Sequence, residues 1–142
     1  MFMSTVRWLC LIAFTVCASA CTDVWYLTIE RISANEPEFC FSREPNCRGS
    51  SVQFSSIDVY EVGEDGGRKE VVWSIQGTST RSEDYAIKRL KYGQLPTGWT
   101  ETVSARPLRV NLVYSVRGMY YFWFDNNSQT RVLTREEFFH KK

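Results

Sequence analysis

The feature that most limits what this chain can become is a hydrophobic period of two, repeated in short runs that turn residues interrupt. In Glu70-Val71-Val72-Trp73-Ser74-Ile75-Gln76, Val71, Trp73 and Ile75 fall on one face. Leu108, Val110, Leu112, Tyr114 and Val116 do the same, with Arg109, Asn111, Ser115 and Arg117 opposite. Successive side chains of a strand point to opposite faces, so this alternation predicts half-buried strands. Trp25, Leu27 and Ile29 give another. Between Val52 and Val62 the apolar phase slips from Val52 and Phe54 to Ile57 and Val59, which predicts a β-bulge at Ser55-Ser56.

Turn chemistry separates these runs. Gly63-Glu64-Asp65-Gly66-Gly67 suits the positive φ angles of a hairpin and joins the strand before it to the one through Trp73. Asp125-Asn126-Asn127-Ser128 predicts a second hairpin, between strands over 119–124 and 131–133. Ser82-Glu83-Asp84 has the composition of a helix cap, but Gly93 and Pro96-Thr97-Gly98 close the segment quickly, and a strand over 87–92 is favoured over a helix. Thr134-Arg135-Glu136-Glu137 has capping-box order, in a stretch too short to hold a helix unless Phe138 and Phe139 dock on the body. About seven or eight short strands with turns between them predict an all-β antiparallel sandwich of the immunoglobulin or fibronectin kind. It forms one domain over 24–142.

The start of the chain reads differently. Arg7 precedes the apolar run Trp8-Leu9-Cys10-Leu11-Ile12-Ala13-Phe14-Thr15-Val16, and Ala18-Ser19-Ala20 follows, so residues 1–20 read as a secretory signal peptide. A spanning helix needs about 20 apolar residues, and this run is shorter. Ala18-Ser19-Ala20 fits ordinary signal peptidase; with Cys21 it also resembles a bacterial lipobox, although Ala18 stands where leucine is usual. Cleavage removes Cys10 and Cys17 and leaves Cys21, Cys40 and Cys47. Three cysteines are awkward in an oxidising compartment unless one is modified. Lipidation of Cys21, with residues 21–23 as a short tether, lets Cys40 and Cys47 pair; simple secretion leaves one thiol over.

Charge narrows the partners. Of 17 Lys plus Arg only Arg7 lies in the leader, which leaves 16 against 16 Asp plus Glu. No basic stripe is concentrated anywhere, which excludes nucleic acid and confines membrane binding to the lipid anchor. Chemistry is sparse as well. The sole histidine, His140, lies near the end of the chain, a poor place to be held against the serine or cysteine it would have to serve. Cys40 and Cys47 lack a second ligand pair at zinc spacing, and Asp125-Asn126-Asn127 lacks the glutamate that closes a calcium loop. No carboxylate pair is singled out by spacing; Glu83-Asp84 and Glu136-Glu137 read as solvated turn and helix-start residues. The expectation is a protein with no catalytic residues, no metal and no cofactor.

Leu90-Lys91-Tyr92-Gly93-Gln94-Leu95-Pro96-Thr97-Gly98-Trp99, followed by Ala105-Arg106-Pro107-Leu108, resembles a pattern of small proteobacterial lipoproteins. The likeness takes in the lipobox, Glu38-Phe39-Cys40-Phe41 and Val72-Trp73-Ser74-Ile75. Some lipoproteins of this look are described as periplasmic immunity proteins for secretion-system toxins, and the resemblance implies that role. The serine-glycine-x-x-tyrosine signature of periplasmic lysozyme inhibitors is absent.

The aromatic surplus asks for a place. Met119-Tyr120-Tyr121-Phe122-Trp123-Phe124 is large and apolar on both faces of a strand. Either the strand is central and Phe138-Phe139 cover its outer face, or one alternate set is exposed as a partner-binding patch. Trp99, after Gly98, is a second candidate. The candidate binding residues are therefore Trp99, Tyr120, Tyr121, Phe122, Trp123 and Phe124. The expected function is that of a non-enzymatic, periplasm-facing lipoprotein, most naturally of the outer membrane. It would bind a protein partner, an incoming or self-produced toxin or hydrolase. The alternative is an accessory lipoprotein of an envelope assembly.

Overall fold

A computed structural model describes residues 24–33, 36–127 and 129–141. Among them the chain forms eleven strands. They are β1 (Tyr26–Ser33), β2 (Glu36–Ser42), β3 (Val52–Gln53), β4 (Ser56–Val62), β5 (Arg68–Gly77), β6 (Ala86–Ile87), β7 (Arg89–Lys91), β8 (Trp99–Val103), β9 (Tyr114–Val116), β10 (Tyr120–Phe124) and β11 (Thr130–Thr134). A single 3-10 turn, Ser82–Tyr85, precedes β6, and one short helix, α1 (Arg135–His140), follows β11. None of the described helices is long and apolar enough to cross a membrane.

The fold is an antiparallel sandwich. One sheet runs β1-β2-β7, the other β11-β10-β9-β4-β5-β8, and β3-β6 is a two-stranded patch beside them. Chain order gives this a recognisable Greek-key logic. β1 and β2 pair in the first sheet, β4 and β5 form a hairpin in the second, β7 returns to β2, and β9 and β10 complete the second sheet beside β4. That is the immunoglobulin-type arrangement, with β8 and β11 added at the two outer edges of the larger sheet. The facing surfaces bury Phe39 and Phe41 from β2 against Val59, Trp73, Ile75 and Phe122. Phe39 meets Phe122 edge-on at 5.7 Å. Each such side chain contributes roughly 1.5–3 kcal/mol by leaving water.

Three expectations need correction, each for a physical reason. The alternation over 108–116 is strand only at Tyr114–Val116. Pro107 lacks an N–H, Asn111 takes a left-handed φ of 62°, and the N–H of Arg109 goes to the Tyr114 hydroxyl at 2.9 Å, so no ladder can form. The phase slip at Ser55-Ser56 is a break between sheets: Val52 pairs with Ile87 in β6, whereas Ile57 pairs with Ile75 in β5. The bulge lies instead in β5, where the register moves from Val59–Trp73 to Tyr60–Val71 and leaves Val72 over. Val72, Trp73 and Ile75 consequently face the main core, and Val71 packs with Tyr60 on the opposite face.

The two hairpins form where the sequence placed them, whereas the strand expected over 87–92 is divided, Ala86–Ile87 pairing with β3 and Arg89–Lys91 with β2. At Gly66, φ is +82°, and a Cβ there would lie 2.6 Å from the Phe139 ring, so the turn needs glycine both for its conformation and for its approach to α1.

α1 exists because its ends are satisfied and its rings dock. The Glu137 carboxylate accepts from the Thr134 N–H at 2.8 Å, and the Thr134 hydroxyl accepts from the Glu137 N–H at 3.3 Å. Phe138 stacks on Tyr121 at 4.4 Å. The Thr134 N–H, with the hydroxyl after it, holds the Glu137 carboxyl below its ordinary value of 4.5. A carboxyl depressed in the folded state stabilises above its unfolded pKa, and that contribution is lost as pH falls through the folded one. Hydrogen exchange at the α1 amides, corrected for intrinsic rate, is therefore expected to accelerate below pH 4.5 in the native chain. It should lack that step in Glu137→Gln; the same profile in both proteins would show that the cap does not hold α1.

Candidate functional site

At the end of the sandwich away from the N-terminus, β4, β5 and the 105–113 segment bring a cluster of charges together. Glu61 continues the inward phase of Ile57 and Val59 and ends beyond the apolar core, with its side chain only 7% exposed. Glu70 of β5 lies directly opposite it. Like charges facing across a strand pair repel, and three cations offset this one. Lys69 Nζ lies 2.6 Å from one Glu61 oxygen and Arg109 3.6 Å from the other, while Arg106 lies 2.6 Å from Glu70. A buried carboxylate needs such partners, because leaving it unpaired costs several kcal/mol.

The 105–113 segment is irregular yet pinned. The Arg106 N–H donates to the Val72 carbonyl at 3.0 Å and the Asn111 N–H to the Phe124 carbonyl at 2.8 Å. The Tyr92 hydroxyl donates to the Arg106 carbonyl at 2.7 Å, and burial pushes that phenol well above its ordinary value. Backbone is thus fixed while the cationic ends stay in water: the Lys69 and Arg109 side chains are 59% and 71% exposed.

Three grooves meet here. One of about 350 Å³ is lined by Glu61, Glu70, Arg106, Arg109 and Tyr114, and one of about 530 Å³ by Glu61, Glu64, Asp65, Lys69 and Leu112. A third, of about 400 Å³, shares Arg106 and Pro107 with the first and adds Lys91 and Tyr92. The arrangement can exchange its internal ion pairs for charged groups of a ligand without rebuilding the backbone. No protein-family model matches the chain, nor does any curated protein or solved structure.

The residues singled out in the sequence lie elsewhere. Cys21 falls outside the described residues. Cys40 and Cys47 are joined as a disulfide with Cα atoms 5.6 Å apart, which closes a local loop. Trp99 is buried, its indole N–H donating to the Asp84 carbonyl at 2.8 Å. Phe122 and Phe124 lie in the main core, and Tyr121 is buried on the outer face beneath Phe138. Tyr120 and Trp123 are half-buried, and the Tyr120 hydroxyl donates to the Trp25 carbonyl at 2.6 Å. The strand is thus covered on its inner face and, at Tyr121, on its outer face, and Trp99, Tyr121, Phe122 and Phe124 offer no free surface to a partner. Among the described residues, no group of three or more His, Cys, Asp and Glu is placed to hold a metal ion.

Sequence reasoning missed Glu61. The signal was its phase, inward with Ile57 and Val59, at the last turn of a strand where polar residues are usually dismissed as solvated.

Proposed function

We propose that the protein is a non-enzymatic lipoprotein of the bacterial envelope, anchored through Cys21 and facing the periplasm. Through the charged end of its sandwich it binds a protein, in the manner of an immunity or inhibitor protein against a toxin hydrolase. The observation that carries the binding surface is the Glu61–Lys69–Arg109 and Glu70–Arg106 cluster, where exposed cations ring grooves on a pinned backbone. Hydrolases that cleave glycosidic bonds present paired carboxylates in a cleft, and a rim of guanidinium and ammonium groups is complementary to such a cleft. Support for the anchor comes from the Cys40–Cys47 bond, which leaves Cys21 as the odd cysteine of a chain cleaved after Ala20. Support for the non-enzymatic reading comes from where the perturbed tyrosines sit. Tyr92, Tyr120 and Tyr121 are raised first of all by burial and are spread through the packing rather than convergent on one cleft.

The mature domain, immobilised without Cys21, is expected to capture one hydrolase stoichiometrically from periplasmic and secreted fractions of its own organism. Arg106→Gln with Arg109→Gln should lose that capture while the domain stays folded at a somewhat lower melting temperature, since Lys69 still pairs with Glu61, and capture by the native domain should weaken with salt. Equal capture by both domains would place binding elsewhere. Recovery of envelope-assembly proteins would instead favour the accessory role.

A further inference from the structure

The geometry points to a fixed orientation on the bilayer: the end of the sandwich that carries Val24 and Met119 lies against the lipid headgroups, and the charged grooves face away from the membrane. This rests on the anchored reading above, since Cys21 must carry the lipid. Val24 is three residues beyond Cys21, and a chain spans at most about 3.3–3.6 Å per residue, so the domain starts within roughly 10 Å of its anchor. β1 then climbs away from that point for eight residues, about 25 Å at a strand's rise.

What gathers at the anchored end suits a headgroup layer. The Trp25 and Tyr120 rings lie 5.0 Å apart, which brings Met119 beside the start of the domain. Val24 and Met119, 56% and 52% exposed, are the two most exposed large apolar side chains among the described residues. Cations lie near them. The Arg43 guanidinium reaches the Val24 carbonyl at 3.5 Å, while Arg135 meets the Met119 carbonyl through its backbone N–H and turns its guanidinium toward the Phe139 ring. Arg117 stacks on Phe54, which touches Trp25 edge-on, and Lys88 donates to the carbonyl of Gly49, two residues past the disulfide loop. Of the acids at this end, Glu83 pairs with Arg81 at 2.6 Å, Asp58 and Asp84 accept from the Ser74 and Ser79 hydroxyls, and Glu137 is tied up in the cap of α1, with Glu44 and Glu136 beside them. Exposed apolar side chains interleaved with Lys and Arg are the composition of an interfacial surface on anionic lipid. The cations are too few to bind a bilayer alone, so the anchor supplies attachment and this surface sets the angle.

Met119 is the only methionine after residue 20, and it serves as a native reporter. The full mature protein, purified from envelopes, is placed in vesicles of phosphatidylethanolamine and phosphatidylglycerol. It is then treated separately with a membrane-impermeant methionine oxidant and an impermeant lysine acylator. Relative to the domain lacking Cys21, Met119 oxidation and Lys88 acylation are expected to slow several-fold while Lys69 is unaffected. Intact mass separates the two layers of the claim. An acylated protein whose Met119, Lys88 and Lys69 all react as in the free domain would overturn the orientation alone; a mature protein without acyl chains would overturn the anchor and the orientation with it.

Discussion

Trp73→Ala is expected to cost about 3–5 kcal/mol, the range for deleting a large aromatic from a packed core. Trp73 is fully buried at the β5 bulge, packs edge-on against Tyr92 at 5.0 Å, and donates its indole N–H to Glu101 at 3.1 Å. Alanine removes the ring, opens a cavity between the sheets and takes a donor from the Glu101 carboxylate, which also accepts from the Ala105 N–H. Domains of this size hold about 5–15 kcal/mol in total, so the variant stands near the edge of folding. Urea unfolding reads the loss as a lower midpoint at an unchanged slope. A loss below about 1 kcal/mol, the scale of surface substitutions, would contradict this account of the core.

Cys40→Ser with Cys47→Ser should cost about 2.5 kcal/mol, the closure entropy of so short a loop. Cys40 is fully buried on β2, whereas Cys47 sits in a loop with a left-handed φ of 60°. The bond therefore ties that strained turn to the sheet. Reductant should lower the stability of the native protein to that of the double variant and leave the variant itself unchanged. Identical midpoints for all of these would mean that the bond does not constrain the chain.

The sandwich was legible because period-two alternation and turn residues are local signals, and both hairpins and β1 lie where those signals fall. Where the reading failed, a nonlocal partner decided. The run over 108–116 alternates as well as any strand, yet Tyr114 and Phe124 capture its backbone groups and hold it as a loop. Val71 has the period of Trp73, and the extra residue Val72 moves it to the other face. Whether the aromatics of β10 were exposed depended on whether six residues at the end of the chain would form a helix and dock, which propensity alone does not fix. The charged end was harder still. Glu61, Lys69, Glu70, Arg106 and Arg109 come from three separate stretches, and only the register of β4 against β5 and the path of 105–113 bring them together.

That convergence also explains why a surplus of aromatic residues need not mark a binding surface. In this chain most of the rings are taken up by two cores, one between the sheets and one beneath α1. The side chains left in water on a fixed backbone are the cations of the groove rims.

Photo-crosslinking in living cells tests the central claim most directly. A photoreactive amino acid replaces Arg109 at the charged end or, as the control, Lys88 at the anchored end of the full-length protein. A discrete crosslinked protein from position 109 and none from position 88 is the predicted result. The same products from both positions, or none from position 109 in the presence of the protein captured by the purified domain, would contradict it.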